Sequence, residues 1–157
     1  MTFKLRTLLW SMILTFAIAV AGGIVTYLGM DSFQAVQQPP LSPPAFLFPV
    51  VWTILFALMA FGAAVVYNSD NPNAPRALFV YALQLTMNFW WCVLFFGFRL
   101  YLTSFIWLLL LFAAVLTMTV LFTRISKPAG LLQIFYLIWL AFAAYLNYGI
   151  WLLQHTG

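Results

Sequence analysis

Residues Leu100–Phe122 read LYLTSFIWLLLLFAAVLTMTVLF, with no Asp, Glu, Lys, Arg or His among them. An α-helix rises about 1.5 Å per residue, so a run of this length crosses a hydrocarbon core of about 30 Å. The stretch therefore reads as a membrane span.

Four further apolar stretches of about the same length accompany it: Leu8–Leu28, Ala45–Tyr67, Arg76–Gly97 and Gly130–Leu153. Breakers separate them: Asp31–Pro44 with its prolines, Asn68–Pro75 reading NSDNPNAP, a tight Phe98–Arg99 turn, and Thr123–Ala129 with Lys127-Pro128. Composition agrees, with 66% hydrophobic and only 5% charged residues and a mean hydropathy of +1.07. A soluble domain needs roughly 25% charged residues to wet its surface, so lipid must cover this one. No fixed-period repeat or low-complexity tail is visible. The expectation is an all-α integral membrane protein, a bundle of five transmembrane helices forming a single domain over residues 1–157, with the lipid bilayer as its first partner.

The charges orient the chain. Lys4, Arg6, Arg76, Arg124 and Lys127 fall on the side shared by the N-terminus and the second and fourth connections; Arg99 stands alone on the other. The positive-inside rule places the N-terminus in the cytoplasm and the C-terminus outside, in a bacterial cell membrane. A net charge of +4 spread over span ends is not the clustered patch of a nucleic-acid binder. The N-terminus has a rival reading as a cleaved signal peptide, with Ala17–Ala19 or Ala19–Ala21 as the processing site. The apolar run continues past those alanines to Leu28, which favours a retained helix.

Cys92 is the only cysteine, His155 the only histidine, and Asp31 and Asp70 the only acids. That leaves no disulfide and no basis for a protein-ligated metal site. No charged residue lies deep in a span, which argues against a proton-driven exporter or an ion channel, and no buried lysine could hold retinal. Cys92 and His155 are the only His or Cys side chains that could ligate a haem iron; a packed thiol and a solvated tail residue are the simpler readings. No acid, base or metal constellation for catalysis is present.

The third and fifth stretches are not plain anchors. Tyr81, Gln84, Asn88, Trp91 and Phe95 share one helical face, and Trp139, Ala143, Asn147 and Trp151 form a similar stripe. Amides are costly in hydrocarbon, so both faces should point inward. The second stretch adds Phe48, Trp52, Phe56 and Met59. Trp52, Asn88 and Asn147 then fall in the same half of the bilayer, beneath the proline-rich first connection. That is an aromatic chamber with a few amides, suited to a flat apolar ligand. The alternative is that Asn88 and Asn147 bond to each other or to a neighbouring backbone. Trp10 and Trp151 suit an interfacial belt. The small pairs Ala19/Gly23 and Ala60/Ala64 suit close helix packing, inside the bundle or across a homodimer.

Three motifs carry a family resemblance. The run Pro43-Pro44-Ala45-Phe46-Leu47-Phe48-Pro49-Val50-Val51-Trp52-Thr53 resembles the loop-to-second-helix signature of the TspO/MBR family. Residues 84–91, QLTMNFWW, followed by Phe95-Phe96-Gly97 resemble its third-helix motif, and residues 136–148, YLIWLAFAAYLNY, its fifth. The resemblance implies a five-helix fold with a pocket under the first loop. It also implies binding of porphyrins such as protoporphyrin IX and haem, of sterols and of benzodiazepine-type drugs, with no required cofactor. By motif position it places Trp52, Asn88, Trp139, Ala143 and Asn147 around the pocket, and the spacing adds Trp91. Leu94 falls where relatives carry an aromatic pocket residue.

The first loop departs from the family pattern W-Y-x-x-L-x-K-P-x-W-x-P-P, reading Ser32, Phe33, Gln38 and Leu41 at the key positions. The indoles on which light-driven porphyrin breakdown would rest are missing there. Tyr145 and Tyr148 also lack the following Lys or Arg of a cholesterol-recognition pattern. Three functions follow as expectations: a receptor, sensor or translocator for tetrapyrroles; a light-dependent porphyrin-degrading enzyme; or an assembly subunit without a small-molecule ligand.

Overall fold

The computed structural model describes residues 4–156, so residues 1–3 and Gly157 of the expected domain lie outside the described residues. Its helices are α1 (Leu5–Ala35), α2 (Leu47–Tyr67), α3 (Ala74–Cys92), α4 (Tyr101–Ile125), α5 (Lys127–Leu131) and α6 (Ile134–Thr156); α3 runs on into a π-helical turn at Val93–Gly97. With α5 and α6 taken together, five segments are long and apolar enough to cross a membrane. The described residues contain no strand, and the all-α membrane bundle is as the run lengths require.

The element ends differ from the sequence reading in ways that matter. The first helix does not stop at Leu28 but continues through Asp31 to Ala35. At about 1.5 Å per residue it is some 46 Å long, more than the thickness of the hydrocarbon core, so it must tilt or extend beyond it. The Gln38 amide caps it, donating to the Phe33 carbonyl at 2.8 Å and the Val36 carbonyl at 3.3 Å. Pro39 and Pro40 then forbid its continuation. The third helix starts earlier than Arg76, with Pro75 in its first turn where no N–H is needed.

The expected loop Thr123–Ala129 is almost absent: α4 reaches Ile125, and Ser126 alone, in extended conformation, joins it to α5. Gly130 permits that corner, because a Cβ there would sit 2.6 Å from the Thr123 Cα. The fifth segment is also not one helix, being broken at Leu132–Gln133.

At the end of α3 the Phe98 N–H reaches back five residues to the Val93 carbonyl at 2.9 Å. This wide turn buries both Phe95 and Phe96. Arg99, at a left-handed φ of 55°, then reverses the chain into α4.

The packing explains where the bundle opens. The Ser11 hydroxyl of α1 donates to the Ala60 carbonyl of α2 at 2.7 Å, and the Thr15 and Tyr81 hydroxyls share a hydrogen bond between α1 and α3. Further along, α1 lies against α3: a Cβ on Gly22 would meet the Cys92 sulfur at 3.4 Å, and one on Gly29 would strike the Phe96 carbonyl. So α1 leaves α2 and crosses to the π-turn. The fifth segment starts against α2, where Gln133 donates to the Leu58 carbonyl at 3.3 Å, and α6 then packs on α4. Two pairs of helices diverge, and a chamber remains between them. Ala60 and Ala64 are fully buried, so that small pair serves contacts within the bundle, whereas Gly23 is exposed.

Candidate chamber among four helices

All six residues singled out from the sequence, Trp52, Asn88, Trp91, Trp139, Ala143 and Asn147, line one cavity of about 590 Å³. That volume is in the range of small-molecule sites, roughly 300–1,000 Å³. The face Tyr81, Gln84, Asn88, Trp91 and Phe95 is buried along its whole length, as the cost of amides in hydrocarbon requires.

Trp52 is the hub of the aromatic wall. Its ring lies 5.6 Å from Phe56, 6.0 Å from Tyr136, and 6.4 Å from both Trp91 and Trp139, edge-on to the last at 90°. Phe48 approaches Trp139 at 6.0 Å and Phe33 at 6.0 Å. Such tilted and edge-to-face contacts add roughly 0.5–1.5 kcal/mol each beyond burial and hold the rings as walls.

Asn88 and Asn147 do not bond to each other. Asn88 donates to the Tyr136 hydroxyl at 2.7 Å, which donates in turn to the Gln84 carbonyl oxygen at 2.9 Å. The Asn147 oxygen accepts the Trp91 indole N–H at 3.1 Å and the Ser104 hydroxyl at 3.2 Å, while its amide donates to the Tyr101 backbone carbonyl at 2.8 Å. The second amide therefore does bond a neighbouring backbone, and both still edge the chamber. The Trp139 indole N–H is buried and meets no acceptor among the described residues. The ring belongs to the chamber wall, but its nitrogen is covered by neighbouring atoms rather than open to the cavity.

Some of the wall escaped the sequence reading. Tyr136 has no role in the sequence reading; it lies behind the wall, against Trp52, one turn before Trp139. Helix α1 supplies Phe16, Ala19, Gly22, Thr26 and Met30, a stripe without an amide or a charge. Leu94 is not among the lining residues; the π-turn presents Phe95 and Phe96 instead. Residues 36–44 of the first loop contribute none of the wall, which is closed by the loop's shoulders Phe33, Ala45 and Phe46. The loop is fastened to α6, where the Tyr145 hydroxyl donates to the Pro40 carbonyl at 2.7 Å and Pro39 packs on Gly149. Leu41 projects outward, 82% exposed. His155 is not among the lining residues and binds its own helix, Nδ1 lying 2.8 Å from the Trp151 carbonyl. No group of three or more His, Cys, Asp or Glu side chains comes together among the described residues.

Known proteins share this arrangement of sequence. A tryptophan-rich protein TspO of Chlorobaculum tepidum is 38% identical over 122 residues, covering 75% of this chain and 76% of the relative. The translocator protein of Ovis aries is 34% identical over 126 residues, covering 78% and 75%. A tryptophan-rich sensory protein of Cereibacter sphaeroides is 31% identical over 142 residues, covering 88% and 89%. The profile of the TspO/MBR family matches residues 6–152, and with its five apolar segments this multi-pass membrane protein belongs to that family.

Proposed function

We propose that the chamber receives a porphyrin, protoporphyrin IX or haem, or a related flat hydrophobic molecule, and that the protein works as a receptor, sensor or translocator for it. The observation that carries this reading is the indole-rich wall around Trp52 enclosing a chamber edged by the Asn88 and Asn147 amides. Stacking on rings accounts for a planar apolar body, and an amide edge accounts for its orientation. The lining includes no histidine, so recognition rests on stacking and hydrogen bonds rather than on imidazole ligation of a metal.

Protoporphyrin IX should quench tryptophan fluorescence saturably in the purified protein. Trp139→Phe and Asn88→Ala should each weaken the quenching curve. Equal curves in all three proteins would remove the site assignment.

The same reading orients the chain. Lys4, Arg6, Arg76, Arg124 and Lys127 gather at one end of the bundle and the chamber lies toward the other, the Arg99 end. The positive-inside rule then puts the N-terminus in the cytoplasm and the chamber in the outward half. A cysteine replacing Ser126 should react with an impermeant thiol reagent only from the cytoplasmic side, and one replacing Phe98 only from outside; the opposite pattern would reverse the orientation.

A further inference from the structure

Every exposed residue of the chamber wall lies on α1, on α2, or on the residue that leads into α2. They are Val20, Gly23 and Tyr27 on one edge and Phe46, Pro49 and Thr53 on the other. Each set follows helical spacing, i, i+3, i+7, so each is a single stripe along its helix. By contrast, Asn88, Trp91, Cys92, Phe95 and Phe96 from the α3 side are all buried, and α6 contributes no exposed residue.

The crossing of α1 accounts for this asymmetry. Its N-terminal half is held to α2 through Ser11 and Ala60, and its C-terminal half lies on Cys92 and Phe96. The two helices therefore part company beside the chamber. Above it, the first loop is fastened to α6 by Tyr145 and Pro40. A Cβ built on Gly23 meets nothing within 4 Å, so the edge is open there.

From this we infer that the chamber has a side mouth between α1 and α2, and that an apolar ligand enters and leaves through it from the acyl-chain region of the bilayer. The ligand's identity rests on the function proposed above; the mouth itself does not. The route suits a solute that already dissolves in lipid, because it never crosses water. Gly23 and Thr53 are exposed positions on the two edges of the mouth, where added bulk narrows the passage.

The test uses the full chain in liposomes with Cys92→Ala as background and Ala143→Cys as a reporter inside the chamber. A maleimide dissolved in the bilayer should label the reporter readily, and a membrane-impermeant thiol reagent should label it poorly. Gly23→Leu, and separately Thr53→Phe, should slow the lipid-borne reaction on the order of tenfold, the effect of a modest added barrier. In parallel, protoporphyrin IX exchange between vesicles and protein should slow in both directions. Unchanged labelling in both plugged variants would overturn the side mouth. Slowed labelling in a protein that never binds porphyrin would uphold the mouth and sink the ligand. Two plugs on opposite edges guard against one variant failing to fold.

Discussion

The Trp91 indole on α3 donates to the Asn147 side-chain oxygen on α6 across 3.1 Å, within the bundle rather than at its surface. The same amide holds Ser104 and the Tyr101 carbonyl at the start of α4. One side chain thus ties three membrane segments together at the chamber's edge. These bonds set the spacing of α3 and α6, whose mutual separation the chamber needs.

Asn147→Leu keeps similar bulk but strands the Trp91 indole N–H, whereas the Ser104 hydroxyl and the Tyr101 carbonyl keep each other at 3.0 Å. Interhelical hydrogen bonds in membranes contribute about 0.6 kcal/mol on average and up to about 1.7. A loss on the order of 1–3 kcal/mol is expected, since a buried donor is left without an acceptor. Unfolding in mixed micelles, followed by circular dichroism, measures it. An unchanged midpoint would mean that the Trp91 indole finds another acceptor.

Tyr136 links Asn88 to Gln84 through one hydroxyl. Tyr136→Phe should destabilise by about 1 kcal/mol, and Asn88→Ala by a similar amount. Combined, the two should cost clearly less than their sum, because they remove the same bond. Strict additivity in the same unfolding assay would show that the pair is not energetically coupled.

The chamber was legible because it is polar where lipid would punish polarity. Asn88, Trp91 and Asn147 declare an inward face through helical spacing alone, and Trp52 joins them once the second span is run in the opposite direction. Helix α1 declares nothing comparable: its lining residues include no amide or charge, and Phe16, Ala19 and Tyr27 read equally well as lipid-facing. Its true length was hidden too, since Asp31 and Ser32 look like a loop until Gln38 is seen capping the Phe33 carbonyl. The π-turn at Val93–Gly97 has no sequence signature apart from its outcome, two adjacent phenylalanines that are both buried. Gly130 in the Ser126 corner could be placed only after α4 and α5 were seen to collide there.

Two glycines of α1 should respond oppositely to alanine. At Gly29 a Cβ would strike the Phe96 carbonyl and lie 2.9 Å from the Phe96 Cβ, so backbone must move. At Gly23 it meets nothing within 4 Å. Gly29→Ala should destabilise by roughly 1–3 kcal/mol, in the range of overpacked cores. Gly23→Ala should be neutral or slightly stabilising, as alanine gains in helix propensity. Thermal unfolding of both variants decides the matter; equal losses would mean that α1 does not approach the π-turn as closely as Gly29 indicates.

Trp91 and Trp139 allow the same substitution to give different answers. Both indoles line the chamber, but the Trp91 N–H is engaged by Asn147 and the Trp139 N–H has no acceptor among the described residues. Trp91→Phe breaks a hydrogen bond and leaves Asn147 short of a donor, so it should lower stability by about 1 kcal/mol. Trp139→Phe removes a donor that is buried and unsatisfied, which offsets the lost ring area. Its stability in the ligand-free state should be close to unchanged. Binding should follow the reverse order. A ligand that turns the Trp139 ring gains this donor, so its loss should weaken protoporphyrin IX quenching in Trp139→Phe more than in Trp91→Phe, whose N–H is already committed. Both proteins need only an unfolding curve and a quenching titration. If Trp139→Phe lowered stability and left quenching intact, its indole would be a packing element and the orienting contact would have to be sought at Asn88.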